Sequence, residues 1–327
     1  MDSSIRRDLP FCFGCEIEIM IRPKSSSGLQ LPPPQETSVS QQRRYNFRLL
    51  EVVARAMTDN GLSCQVFDPA EQGHPDYTVW NAMLDASLSR AHICDGFYPV
   101  EIVSPVLDTM NQFFDFREDT TCGFHVHISF QQGHFTMPQL RRLAKAVDQV
   151  NKFCQSNLKA PPMREILSQD GPLKGLEAVF GIIDELDRDD LIHFVCPGKY
   201  YAWNLQPSQE GKSGSVEFRR APGVVTSKKA KHWIALTMAI IWMSIKFEPR
   251  RFINSWTKAR GSNYTVHHPN FQEQLLCSAR DIGQLWNLDS RLLQVDNVAN
   301  LHITMMSQRG FDWLSQKGLG YAWSKNA

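Results

Sequence analysis

The 327-residue chain lacks an excess of charge of either sign, because 35 Lys and Arg residues stand against 34 Asp and Glu residues. A protein that binds nucleic acid through its phosphates usually concentrates positive charge on its surface. The charge balance therefore predicts no nucleic-acid partner.

Long apolar runs are also missing. The longest, WIALTMAIIWMSI at 233–245, is shorter than the ~20 residues that cross a bilayer as a helix. Basic segments flank it on both sides, SKKAKH before it and KFEPRR after it. The run predicts a buried core helix and no membrane partner.

The N-terminal sequence has no apolar region followed by a small-residue cleavage site, so we expect no signal peptide. Without a secretory signal, the eight cysteines are expected to be reduced thiols, which predicts a cytoplasmic protein. Cys12 and Cys15 form a C-x-x-C within a predicted strand. Their side chains would point to opposite faces, which argues against a zinc or redox pair.

Short segments with period-2 alternation are separated by segments with helical periodicity, which predicts an α+β fold. The predicted strands lie in FCFGCEIEIMI (11–21), LSCQVF (62–67), YTVWNAML (77–84), FYPVEIVSP (97–105), CGFHVHISF (122–130), YYAWNLQP (200–207) and SGSVEFRRAP (213–222). Helices are predicted at 43–61 with Gly61 as the C-cap, at 106–118, at 137–158, and over most of the chain from 227 onward.

Three of these strands carry two chemically active side chains at positions i and i+2, which lie on one face of a strand about 6.6 Å apart. The pairs are Glu16 with Glu18, His125 with His127, and Glu217 with Arg219, and a fourth strand carries Glu101 alone. Each pattern by itself is typical of a solvated face or a cross-strand ion pair. Together they comprise residue types that bind metals and phosphates.

Carboxylates combined with imidazole suit Mg²⁺ or Mn²⁺. A structural zinc site would more often combine His with Cys. The segment QPSQEGKS is not a phosphate-binding P-loop, because Gln206 stands where that motif requires glycine. A carboxylate cluster that holds divalent cations would suit the phosphates of a nucleotide.

The segments GCEIE, EIVSP, CGFHVH and VEFRR, in this order, resemble the motifs of the amidoligase family. This family belongs to the carboxylate–amine ligases related to glutamine synthetase and glutamate–cysteine ligase. The segment LDASL at 84–88 is similar to one that precedes the EIVSP strand. The resemblance covers about residues 10 to 245 and implies a curved antiparallel sheet of the glutamine-synthetase catalytic type, flanked by helices.

The resemblance also implies roles for individual residues, with ATP and Mg²⁺ (or Mn²⁺) as cofactors. The implied metal ligands are Glu16, Glu18, Glu101, His125 and Glu217. His127 and Arg219 resemble residues that contact the nucleotide, and Arg219 and Glu217 are the implied catalytic residues. Asp85 and Asn204 are candidates for contact with the substrates, which would be a small-molecule or peptide carboxylate and an amine.

The implied domain organisation is a catalytic domain over residues 10–250 and a helical C-terminal extension over 251–327. Within the first domain, the Ser/Pro-rich residues 22–42 are expected to form a mobile insertion.

Two other functions stay open at this point. A metal-dependent hydrolase can carry H-x-H at the end of its first barrel strand, although here the motif follows 120 residues of chain and no eightfold βα rhythm is visible. A relative that binds nucleotide or a protein partner without turnover is the other alternative, and a missing Glu or Arg in the motifs would have supported it.

Overall fold

The computed structural model describes residues 11–29, 39–68, 79–84, 88, 95–103, 114–119, 121–131, 133–154, 172–199, 201–247 and 269–289. Within these ranges the chain forms an open, largely antiparallel sheet of eight strands together with six α-helices. The predicted mixture of helices with an antiparallel sheet is therefore confirmed. The specific curvature of the glutamine-synthetase type stays a prediction.

The strands are β1 (Phe11–Pro23), β2 (Cys64–Val66), β3 (Trp80–Met83), β4 (Tyr98–Val103), β5 (Phe114–Arg117), β6 (Gly123–Phe130), β7 (Trp203–Asn204) and β8 (Val216–Pro222). The helices are α1 (Val39–Asp59), α2 (Met137–Cys154), α3 (Pro172–Glu185), α4 (Arg188–Val195), α5 (Ser227–Lys246) and α6 (Pro269–Asp281). Residues 22–23 thus end β1 and residues 39–42 begin α1. Residues 30–38 of the predicted insertion lie outside the described part of the chain.

The strands follow the order β2-β3-β4-β1-β6-β8-β7, and β5 also pairs with β1. Strand β1 runs antiparallel to β4 in a register that sets Glu18 opposite Glu101. Strand β1 therefore lies between the two strands that carry Glu101 and the histidines.

Strand β1 follows the predicted alternation in its central part. Ile17, Ile19 and Ile21 are buried on one face, and Glu16 and Glu18 lie on the other. Beyond Glu18, the carboxylate face becomes apolar, because Met20 belongs to a buried cluster with Leu88, Phe97 and Cys122. The carboxylates are therefore bordered by apolar side chains on that side.

Helix α1 ends at the predicted glycine. Gly61 adopts a φ of 85°, which is in the left-handed region that favours glycine. The amide of Gly61 donates to the carbonyl of Thr58, and that of Leu62 donates to the carbonyl of Met57, as in a glycine-terminated helix end.

Helix α1 also contacts the sheet through a pair of tyrosines. The hydroxyl groups of Tyr45 in α1 and Tyr98 in β4 lie 2.6 Å apart, on the other side of the sheet from Glu101.

The apolar run at 233–245 forms the greater part of α5, and most of its residues are buried. The prediction of a core helix is confirmed. Among the helices in the described ranges, none is long and apolar enough to cross a membrane.

The prediction of a helix over 106–118 is wrong for the last part of this segment. Residues 114–117 form β5, which pairs with the end of β1. The sequence FDFR alternates apolar and polar residues, and Asp115 lies opposite Arg22 in the register with a carboxylate–guanidinium distance of 3.1 Å. Strand pairing and this charge pair outweigh the local helical pattern. Residues 106–113 lie outside the described ranges.

The chain divides into two compact units. One comprises Phe13–Ile128 and Phe218–Ile234, and the other contains Ser129–Glu217. The boundaries fall within β1, β6, β8 and α5, so these elements contribute to both units. The predicted division at residue 250 falls outside the described ranges and stays a prediction.

Candidate metal centre

Two carboxylates face each other across neighbouring strands. Glu18 and Glu101 are directly opposite in the β1–β4 register, and side chains at such positions have Cβ atoms about 4.5–5.5 Å apart. Glu18 is only 9% exposed, so water screens its charge poorly. Two like charges so placed are destabilising unless a cation lies near them.

The two histidines of β6 meet the carboxylates of β1. His125 Nδ1 lies 2.8 Å from Glu16 Oε2, and its Nε2 lies 3.4 Å from Glu18 Oε1. His127 Nε2 lies 3.0 Å from Glu16 Oε1. The structure therefore brings together both i, i+2 pairs, and each oxygen of Glu16 contacts a different imidazole.

The charge of Glu16 is stabilised by this arrangement. Burial alone would raise the pKa of the Glu16 carboxyl group, but hydrogen bonds with His125 and His127, and the charge of these imidazoles, hold that pKa well below its usual range. Glu16 is consequently a carboxylate at neutral pH, as a metal ligand must be.

Gly123 provides the space that Glu18 occupies. It precedes His125 by two residues on β6, and a Cβ atom at this position would lie well inside contact distance of Glu18 Oε2. Gly123 was not among the residues predicted for the site. A glycine within a strand, two residues before a site-facing histidine, was the sequence signal that could have indicated it.

We expect Gly123→Ala to displace the Glu18 carboxylate. The substitution should destabilise the protein by ~1–3 kcal/mol through overpacking and weaken Mn²⁺ binding about tenfold or more. Denaturant unfolding with and without Mn²⁺ measures both effects.

The matched control is Gly14→Ala. Gly14 stands two residues before Glu16 on the same face of β1, but its added Cβ would only make ordinary contact, 4.0 Å from His127 Cβ. Equal Mn²⁺ affinity in the two alanine variants would show that the space at Gly123 does not matter for the metal.

A fourth strand contributes Glu217, which is 2% exposed and lies in β8, next to β6 in the sheet order. Glu16, His125 and Glu217 each offer a ligand atom, and these atoms all lie within 4.8 Å of one another. Two carboxylates and one imidazole at this spacing form a candidate site for a divalent cation, and the oxygen-rich set suits Mg²⁺ or Mn²⁺.

The other predicted residues have different positions. Arg219 is half-buried in β8, two residues beyond Glu217 and on the same face. The side-chain amide of Asn204 donates to Glu217 Oε2 at 2.7 Å. Asp85 lies outside the described ranges. The functional roles of these residues, and of the proposed ligands, stay predictions.

Residues 9–167 match the model of a family described as "Putative amidoligase enzyme", which confirms the family resemblance and supports the ligase assignment that follows from it. The match includes both i, i+2 pairs of β1 and β6 and Glu101, and it ends before Glu217 and Arg219. No curated protein matches the chain.

Proposed function

We propose that this chain, whose residues 9–167 match the amidoligase family, is an ATP-dependent carboxylate–amine ligase. The γ-phosphoryl group of ATP would pass to an oxygen of the acid substrate, which gives an acyl phosphate and ADP. The amine would then attack the acyl carbon, lose a proton and expel inorganic phosphate to form an amide.

The contact of Glu16 with both histidines, with Glu217 nearby, carries the proposal. Glu16, Glu217 and the opposed Glu18 and Glu101 offer hard oxygen donors around the imidazole of His125. In this proposal they would hold Mg²⁺ or Mn²⁺. The cations would supply positive charge that neutralises the phosphate oxygens of ATP.

The chain's own residues would orient the nucleotide and stabilise the transferring group. Glu16 holds the rings of His125 and His127 through its two oxygens. His127, the more exposed of the two histidines, would contact a phosphate oxygen. The planar guanidinium of Arg219 would donate to the transferring phosphoryl group. A nearby carboxylate would accept the proton that the amine loses.

Binding of ATP is expected to require the metal, because carboxylates without cations repel a polyphosphate. Removal of divalent cations with EDTA should raise the Kd for ATP about tenfold or more, equivalent to ~1.4 kcal/mol. Calorimetric titration of ATP with Mg²⁺, and with EDTA instead, measures the difference. Equal affinity in the two titrations would show that ATP does not bind at these carboxylates.

Turnover is tested by ADP release from ATP and Mg²⁺ over a matrix of paired acids and amines. A ligase of this kind sustains ADP release over many turnovers only when both a carboxylate and an amine are present, and the amide product then appears in equal amount. Metal-dependent cleavage of an amide without ATP would favour the hydrolase instead. Nucleotide binding without ADP release for any pair would favour the non-catalytic alternative.

We propose a small-molecule or peptide carboxylate and an amine as the substrates, and we expect no nucleic-acid or membrane partner. We propose that the protein acts in the cytoplasm, where ATP and Mg²⁺ are available.

A further inference from the structure

Asn204 is a buried side chain that contacts a proposed metal ligand. It lies in β7, next to β8 in the sheet order, and is 5% exposed. Its Nδ2 donates to Glu217 Oε2 at 2.7 Å. Burial of a charged carboxylate such as that of Glu217 costs free energy of folding unless the carboxylate accepts hydrogen bonds. Asn204 donates one of these hydrogen bonds.

The orientation of the Asn204 amide is determined by its neighbours. The backbone N–H of Gln206 can only donate, and it lies 3.0 Å from the atom assigned as Oδ1. The Cys196 sulfur also lies 3.7 Å from this atom, but its one hydrogen is directed at the carbonyl of Gly198, 3.0 Å away. The backbone N–H of Gln206 therefore assigns the oxygen, and the NH₂ group faces Glu217.

We propose that Asn204 is a positioning residue that holds Glu217 in the orientation in which it binds the metal. This inference rests on the proposed function, in which Glu217 is a metal ligand. The amide restrains the Glu217 carboxylate before the metal binds, and an oxygen that accepts one hydrogen bond retains a second lone pair. Hydrogen bonds of this kind to metal ligands commonly change metal affinity by ~10–100-fold.

A purely structural role makes a different prediction. Asn204 Oδ1 accepts from the amide two residues later, which is the hydrogen bond of an Asx turn. Serine forms a similar turn more weakly through its hydroxyl group, but its shorter side chain does not reach Glu217. Asn204→Ser thus preserves a turn acceptor and removes the donor to the carboxylate.

The experiment compares Mn²⁺ binding to the full-length, metal-free wild type and Asn204→Ser, by calorimetry and by the EPR spectrum of bound Mn²⁺. We expect Asn204→Ser to bind Mn²⁺ about tenfold more weakly or worse and to change the zero-field splitting of the bound ion. The control is Asn60→Ser. The Asn60 amide donates to the backbone carbonyl of Ala56 at 2.8 Å, and Ala56 is not a proposed metal ligand. Loss of this hydrogen bond should therefore leave the Mn²⁺ affinity and the zero-field splitting unchanged.

The outcomes separate this inference from the proposed function. A wild type that does not bind Mn²⁺ would overturn both. A wild type that binds Mn²⁺, together with an Asn204→Ser variant of equal affinity and identical spectrum, would overturn the positioning role alone. If the serine variant does not fold, Asn204→Asp keeps a strong turn acceptor and replaces only the group that faces Glu217. An Asn204→Asp variant with wild-type Mn²⁺ affinity and spectrum would overturn the proposal.

Discussion

Glu18→Gln is expected to remove most of the stabilisation that Mn²⁺ confers on the protein, while the metal-free variant stays as stable as the wild type within ~1 kcal/mol. In the metal-free protein the substitution removes one of two carboxylates that lie directly opposite each other, Glu18 and Glu101. It also removes the attraction to His125 Nε2, 3.4 Å away. These two effects oppose each other.

In the metal-bound protein we expect only a loss of affinity, because a neutral amide would replace a carboxylate that we propose as a metal ligand. We expect Mn²⁺ affinity to fall about 100-fold, equivalent to ~2.7 kcal/mol. At a Mn²⁺ concentration ~100 times the wild-type Kd, the free energy of stabilisation should decrease from ~2.7 to ~0.4 kcal/mol. Thermal and denaturant unfolding across a Mn²⁺ titration gives these values.

The control is Glu51→Gln, the same change at an exposed residue of α1. This variant should respond to Mn²⁺ as the wild type does. A Glu18→Gln variant with the full Mn²⁺ stabilisation would remove Glu18 from the ligand set. A metal-free Glu18→Gln variant that fails to fold would mean that Glu18 is required for the sheet itself.

Arg219→Lys is expected to lower turnover about 100-fold or more while the protein folds normally and binds Mg·ATP nearly as well. Lysine keeps the positive charge but loses the planar fork that grips two phosphate oxygens at once. If Arg219 served only in an ion pair, lysine would retain most of that interaction, which is worth ~1 kcal/mol or less when exposed. Turnover would then survive with a small change in thermal stability.

Arg220→Lys provides a control on the same strand. Arg220 is half-buried like its neighbour, but adjacent residues of a strand point to opposite faces. It should therefore retain turnover. The assay measures ADP release with an acid and amine pair found in the substrate screen. Wild-type turnover in Arg219→Lys would exclude the arginine from the mechanism and weaken the ligase proposal with it.

The sequence alone determined which side chains share a face. Glu16 with Glu18, and His125 with His127, were placed correctly because a period of two residues is a property of the extended backbone itself. The helix α5 and the glycine that ends α1 were also predictable, because each depends on residues close together in the chain.

The tertiary structure decided which of these faces meet. A register shift of one residue between β1 and β4 would move Glu101 to the other face relative to Glu18, and no local pattern specifies that register. The contact between Asn204 and Glu217 and the space that Gly123 leaves for Glu18 likewise depend on neighbouring strands. Residues 114–117 became a strand because β1 offered a partner. Backbone geometry sets the direction of a side chain, whereas pairing between segments distant in sequence sets what that side chain contacts.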